Sequence, residues 1–127
     1  MNIEPQSIPL RMVIVDDSSH FLDAARNLLE HDGIDVVGVA RTSAEALELA
    51  GELRPDVFLV DVDLGEESGF DLAQRLVAST TSRVVLISAY PESELADLIA
   101  SSPADGFVSK SELSAEAVAN VLGIERG

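Results

Sequence analysis

Five short apolar runs alternate along the chain with five stretches in which apolar residues recur at helical spacing. The central run, Val57 to Val60, is apolar at every position, which is typical of a strand buried on both faces. Such strands need cover on both sides of the sheet, and crossover helices provide it. The alternation therefore predicts a three-layer, doubly wound α/β domain with a five-stranded parallel sheet and right-handed connections.

The apolar spacing also predicts which face of each helix is buried. Strands are expected at residues 10–15, 34–40, 57–60, 83–88 and 106–110. The residues expected on the buried helix faces are Phe21, Ala25, Leu28 and Leu29 in the first helix, Ala46, Leu49, Ala50 and Leu53 in the second, Leu72, Ala73, Leu76 and Val77 in the third, Leu95, Leu98 and Ile99 in the fourth, and Ala117, Val118, Val121 and Leu122 in the last. Because the fourth set is thin, we expect the fourth helix to be loosely packed.

Composition restricts the partners and the compartment. The net charge of -15, with 8 basic residues, repels phosphate backbones and anionic membranes, so direct binding to nucleic acid or to a membrane is not expected. The absence of cysteine excludes disulfides and zinc–thiolate sites. No apolar run reaches the length of about 18 residues needed to span a membrane, and residues 1–9 do not have the pattern of a signal peptide. We therefore expect a cytoplasmic protein, with a loose tail at residues 1–9 and one domain over residues 10–127.

Reactive side chains stand at the ends of four of the five predicted strands. Asp16 and Asp17 follow the first strand, Asp61 the third, Ser88 ends the fourth and Lys110 ends the fifth. In an open parallel sheet these ends meet at one edge, where ligands bind. Crowded carboxylates repel one another, and a hard cation such as Mg²⁺ relieves that repulsion. A lysine and a hydroxyl beside them complete a site for a phosphoryl group, with a carboxylate as the nucleophile.

Four short motifs make the chain resemble the receiver domain of bacterial two-component response regulators. They are Val15-Asp16-Asp17, Val60-Asp61 with Gly69 following, Ile87-Ser88-Ala89, and Gly106-Phe107-Val108-Ser109-Lys110. The resemblance covers about residues 10–122, and the last motif is most similar to receivers that precede LuxR-type DNA-binding domains. It implies a flavodoxin-like sheet with the strand order 2-1-3-4-5.

The resemblance also implies the chemistry of the acidic residues. Asp61 would accept a phosphoryl group from a sensor histidine kinase, with Mg²⁺ as the cofactor. Asp17 and Asp61 would ligate the metal directly, Asp16 mainly through water, and Asp63 through its backbone carbonyl. The protein would then be a phosphoacceptor signalling domain that catalyses only its own phosphoryl transfer and dephosphorylation.

Three further residues take catalytic and switch roles in this resemblance. Lys110 would pair with the phosphoryl oxygens, and Ser88 would donate a hydrogen bond to one of them. Inward movement of the Ser88 loop would let the ring of Phe107 turn toward the sheet edge. The surface of the fifth strand and of the fourth and fifth helices would change, and we expect it to bind an output domain or partner protein, or to form a homodimer, on phosphorylation.

Other interpretations of the same residues stay open. Asp61-Val62-Asp63 also resembles the Asp-x-Asp motif of haloacid-dehalogenase-type phosphatases, in which Asp61 would be the nucleophile and Asp63 a general acid/base. A degenerate receiver that binds a partner without phosphorylation is a third interpretation, although the complete acidic set counts against it. Two turns depart from the common receiver pattern, because Leu64-Gly65 replaces Met-Pro and Lys110-Ser111 replaces Lys-Pro. Tyr90 either gates water at the acyl phosphate or covers the sheet edge.

Overall fold

The computed structural model describes residues 9–124 and follows the predicted alternation of strands and helices. The strands are β1 (Arg11–Val15), β2 (Asp35–Ala40), β3 (Val57–Asp61), β4 (Asp63–Leu64), β5 (Glu67–Ser68), β6 (Arg83–Ser88) and β7 (Gly106–Ser109). The helices are α1 (Ser19–His31), α2 (Ser43–Leu53), α3 (Gly69–Ser79), α4 (Glu92–Ser101) and α5 (Ala115–Leu122), with a 3-10 turn at Lys110–Glu112. The predicted tail lies outside the described residues except for its last residue, Pro9.

Five strands form one parallel sheet in the order β2-β1-β3-β6-β7, which is 2-1-3-4-5 when the two-residue strands are not counted. The predicted three-layer fold and strand order are therefore confirmed. The register pairs Val15 with Val60, and Ser88 with Ser109. Residues just beyond these pairs therefore emerge at nearly the same level of the sheet.

Each face of the sheet has its own apolar cluster. Met12 and Ile14 point into the cluster covered by α1 and α5, whereas Val13 and Val15 point into the cluster covered by α2 and α3. The alternation follows from the two-residue period of a strand. The middle residues of β1, β3 and β6 are fully buried, so the centre of the sheet is a rigid base for the residues at its edge.

Several helix faces are rotated from the predicted ones. In α1 the buried residues are Leu22, Ala25 and Leu29, and the expected Leu28 is 42% exposed. Val77 in α3 is 40% exposed. The prediction that Leu28 and Val77 are buried is therefore wrong. Each of them is adjacent in sequence to a residue that faces the sheet, so it lies at the border of the apolar stripe.

In the second and fifth helices, too, the buried residues differ in part from the predicted ones. In α5 the buried set includes Ala115 and Ala119, and the expected Ala117 and Val121 are only half-buried. In α2 the small side chains of the predicted face are buried and its two leucines, Leu49 and Leu53, are half-buried. The apolar spacing therefore finds each helix and its general face, but not the exact residues that face the sheet.

The loose packing predicted for α4 is confirmed. None of its residues is buried, and Leu98 is 54% exposed. Within residues 9–124, each helix is too short or too polar to cross a membrane.

Candidate functional site: an acidic cluster at the sheet edge

The site lies at the carboxyl ends of β1, β3, β6 and β7, where the register brings the predicted residues together. Asp16 is fully buried, and Asp61 and Ser88 are 5% and 1% exposed. Asp17 is exposed beside them. Buried carboxylates are rare in proteins unless they are paired or bind a metal. Two of them at one edge therefore indicate a functional site.

Lys110 supplies the positive charge for both buried carboxylates. Its Nζ lies 2.7 Å from Asp16 Oδ2 and 2.9 Å from Asp61 Oδ2. The fifth sheet strand ends at Ser109, one residue earlier than predicted, so Lys110 begins the 3-10 turn. Its side chain is only 19% exposed, which shields the two ion pairs from water.

The second oxygen of each buried carboxylate accepts a backbone hydrogen bond. Asp16 Oδ1 accepts from the Ser18 N–H at 2.9 Å, and Asp61 Oδ1 accepts from the Asp63 N–H at 3.0 Å. The Asp63 carboxylate is exposed and accepts from the Gly65 N–H at 3.1 Å. The orientation of each buried carboxylate is therefore fixed by the chain immediately after its strand.

The ionisation of the site reflects burial and the close charges. Burial raises the pKa of Asp61 from 3.8 to about 6; the Asp63 amide and Lys110 lower it, and the charge of Asp16 raises it. Burial lowers the pKa of Lys110, but the hydrogen bonds and charges of Asp16 and Asp61 outweigh that effect and raise it. Lys110 is therefore a permanent cation at neutral pH, whereas ionisation of Asp61 carries a cost.

Carboxylate oxygens of Asp16, Asp17 and Asp61 all lie within 4.8 Å of one another. A set of hard oxygen donors with room for water suits Mg²⁺. The predicted metal residues are thus brought together, except that the Asp63 carboxylate is not part of this group within the described part of the chain. A role for the Asp63 carbonyl stays a prediction.

Two glycines allow the loop after β3 to approach the acidic cluster. A Cβ at Gly69 would overlap the carbonyl oxygen of Asp61, so α3 can begin there only with glycine. Gly65 has a φ of +79°, which glycine adopts at little cost, and a Cβ there would lie 3.2 Å from Asp17 Oδ2. The residues on either side of Gly65 pair to form the antiparallel β4–β5 hairpin.

The predicted switch residues lie on the β6 and β7 side of the site. Ser88 Oγ accepts a hydrogen bond from the Tyr90 N–H at 3.0 Å, and the Tyr90 side chain is 55% exposed. Phe107 is half-buried against the apolar cluster that α2 and α3 cover. These positions are compatible with the switch roles expected from the resemblance.

One contact of Lys110 was not predicted from the sequence. Its Nζ lies 4.1 Å from the ring centroid of Phe21, a residue that helical spacing had assigned only to packing. The two residues are far apart along the chain, and no motif around either residue indicates a contact with the other. The sequence therefore carries no signal for this contact.

Two further unpredicted contacts tie the β2–α2 loop to the site. The Arg41 side chain donates to the backbone carbonyl of Asp17 at 3.1 Å. A carboxylate oxygen of Glu67 accepts the Ser43 N–H at 3.0 Å. Arg41 thus holds the backbone of Asp17, an expected metal ligand. The only sequence signal for this role is that Arg41 directly follows the second predicted strand.

A doubly wound sheet with buried acids and a lysine at its ligand-binding edge is the arrangement that the receiver-like motifs of the sequence predict. Residues 12–122 match the response regulator receiver domain, and the chain belongs to that family. The predicted family is therefore confirmed.

One similar protein is much longer than this chain. The chain is 41% identical over 91 residues to protein-glutamate methylesterase/protein-glutamine glutaminase 5 of Myxococcus xanthus, a match that covers 69% of this chain and 26% of that protein. The matched region thus spans about a quarter of that relative's length.

Among solved structures, the signal receiver domain of the response regulator NarL from Mycobacterium tuberculosis has a TM-score of 0.78 and 29% identity, covering 91% of this chain and 98% of that one. A response regulator from Burkholderia pseudomallei, solved with a phosphorylated aspartic acid, a calcium ion and citrate, has a TM-score of 0.75 and 26% identity. That match covers 87% of this chain and 65% of the other.

Proposed function

We propose that Asp61 accepts a phosphoryl group from a sensor histidine kinase and that this modification switches the protein between two signalling states. The observation that carries the proposal is the placement of Lys110 between the buried carboxylates of Asp16 and Asp61. A similar response regulator carries a phosphorylated aspartic acid together with a divalent cation. That similarity supports the same chemistry for this site.

In the proposed transfer, a carboxylate oxygen of Asp61 attacks the phosphorus atom of the donor. A P–O bond forms, the P–N bond to the kinase imidazole breaks, and its electron pair stays on the leaving nitrogen. Lys110 would shift from Asp61 to the incoming phosphoryl oxygens, because the negative charge moves there. Ser88 would donate a hydrogen bond to another of those oxygens.

Mg²⁺ fits the oxygen donors of Asp16, Asp17 and Asp61 and would neutralise phosphoryl charge there. We propose that Asp17 and Asp61 hold the ion directly, that Asp16 acts mainly through water, and that the Asp63 carbonyl contributes a further ligand. The exposure of Asp17 suits it to this role, since its carboxylate is open to an entering hydrated ion.

The switch would begin at Ser88 and end at Phe107. The Ser88 hydroxyl accepts from the Tyr90 N–H but still has its own proton to donate. Movement of Ser88 toward a phosphoryl group can therefore carry Tyr90 and the start of α4 with it. The vacated space would let the half-buried Phe107 ring turn inward, and the α4–β7–α5 surface would bind an output domain, a partner protein or a second copy.

The experiment is intact-mass measurement after incubation with acetyl phosphate and Mg²⁺. We expect one phosphoryl group on the wild-type protein, labile at high pH, and none on Asp61→Asn. Asp63→Asn is the matched control, since it removes a neighbouring exposed carboxylate and should leave the labelling intact. Stoichiometric labelling of Asp61→Asn would refute the assignment.

The same protein samples test the phosphatase alternative. The Asp63 carboxylate is exposed and accepts the Gly65 N–H, so no contact within the described residues favours a general-acid role. A phosphatase would turn over a phosphomonoester continuously and lose roughly 10²-fold or more of its rate on Asp63→Asn. We expect no sustained turnover by the wild-type protein.

A further inference from the structure

The ammonium group of Lys110 touches an aromatic ring as well as two carboxylates. Its Nζ lies 4.1 Å from the ring centroid of Phe21, well inside the distance of about 6 Å at which a cation and a π face attract each other. Phe21 is half-buried in the first turn of α1 and packs against the apolar cluster beneath it. Its ring therefore gives the Lys110 ammonium a third contact, beside its ion pairs with Asp16 and Asp61.

The position of that ring is linked to the acidic site through the backbone. Asp16 Oδ1 accepts the Ser18 N–H at 2.9 Å, and Ser18 Oγ caps α1 by accepting the Phe21 N–H at 3.2 Å. The Phe21 ring contacts the Lys110 ammonium, whose Nζ in turn forms an ion pair with Asp16 Oδ2 at 2.7 Å. This chain of contacts begins and ends at Asp16, so the Phe21 ring and the Asp16 carboxylate both contact Lys110 and are linked to each other through Ser18.

We propose that Phe21 is a positioning residue for phosphoryl transfer, and that its π face keeps the Lys110 ammonium beside Asp61. This inference rests on the proposed function of Asp61. A lysine has a flexible four-carbon stem and a strongly hydrated head, so it needs external contacts to stay in one place. Without the ring, more rotamers and more water become accessible to Lys110, and the fraction of molecules ready for transfer falls.

The test compares two substitutions of Phe21 with different electronic character. Phe21→Leu keeps an apolar side chain but removes the π face, and it should slow labelling of Asp61 by acetyl phosphate and Mg²⁺ about two- to tenfold. Phe21→Tyr keeps the π face and should retain most of the wild-type rate. Phe70→Leu, a matched loss of a half-buried ring on the other face of the sheet, should not slow labelling. Equal rates for Phe21→Leu and wild type would overturn the proposal, as would equal slowing by Leu and Tyr.

A double-mutant cycle shows whether Phe21 acts through Lys110. In a Lys110→Met background, Phe21→Leu should slow labelling no further, because the ring no longer has a cation to hold. The same four proteins should show non-additive shifts of the urea midpoint, a readout that needs no phosphorylation. If the wild-type protein is not labelled but the midpoints are non-additive, the phosphoacceptor function fails and the contact stands. Additive midpoints would overturn the contact itself.

Discussion

Replacement of Asp61 by asparagine should make the free energy of unfolding less dependent on pH. The wild-type carboxyl is buried, and its pKa rises from 3.8 to about 6 on folding. Between those values the folded protein keeps a proton that the unfolded chain has lost. The wild-type stability contributed by this group is therefore fully present below about pH 4 and is lost as the pH rises through about 6.

The structure gives the size of the effect. A change in pKa from 3.8 to about 6 corresponds to about 3 kcal/mol, at roughly 1.4 kcal/mol for each tenfold change in the ionisation constant. Asparagine has no ionisable proton, and its side-chain oxygen can still accept the Asp63 N–H. The free energy of unfolding of Asp61→Asn, relative to that of the wild type, should therefore increase by roughly 2–3 kcal/mol as the pH rises from 4 to 7.5.

Urea unfolding at a series of pH values, with a chelator present, measures this difference. Asp23→Asn is the control, because it removes an exposed carboxylate from α1 and should follow the wild-type pH dependence. Added Mg²⁺ should stabilise the wild-type protein at pH 7.5 more than Asp61→Asn, since the ion favours the ionised carboxylates. Parallel pH curves for wild type and Asp61→Asn would refute the reasoning.

Three further outcomes are expected. Gly69→Ala should lower the free energy of unfolding by about 3 kcal/mol, because its Cβ would overlap the β3 backbone. Gly51→Ala in α2, which has open space around it, should raise it by roughly 0.5–1 kcal/mol. Unchanged urea midpoints for both variants would contradict this expectation. Asp17→Ala should abolish most of the Mg²⁺-dependent rise in melting temperature and Asp16→Ala should reduce it less, so an equal, undiminished rise in both would argue against the site. Beryllofluoride with Mg²⁺ should shift amide resonances over residues 88–122 as well as at the acidic cluster, and shifts confined to the cluster would rule out the switch.

The fold was predictable because its signals are local. Apolar runs such as Val57 to Val60 and the helical spacing of apolar residues need only neighbouring residues to be recognised. The gathering of Asp16, Asp61 and Lys110 was also predictable, because parallel strands deliver their carboxyl ends to one edge. Each of these conclusions uses the order of elements and not their detailed packing.

The details that were not predictable depend on how helices rotate and how loops close. Whether Leu22 or Leu28 faces the sheet in α1 depends on a rotation of less than half a turn, which apolar spacing does not fix. The contact of Phe21 with Lys110 joins residues far apart in the sequence, and either residue alone indicates only packing or surface. The β4–β5 hairpin arises where Gly65 takes a left-handed conformation inside a polar stretch.

The weak attachment of α4 bears directly on how a signal would leave the site. The other four helices are capped by side chains, those of Ser18, Thr42, Ser68 and Ser114. The N-cap residue of α4 is Pro91, which has no side chain that can accept a hydrogen bond, and no residue of α4 is buried. An element held by so few contacts has a low free energy of local displacement. A hydrogen bond from the Ser88 hydroxyl to a charged group is worth roughly 1.5–3 kcal/mol. If two positions of α4 differ by about that amount, one such bond is enough to make their populations comparable. The loose helix thus lies next in sequence to the residue that would sense the phosphoryl group, and a small local energy can move it without disturbing the sheet.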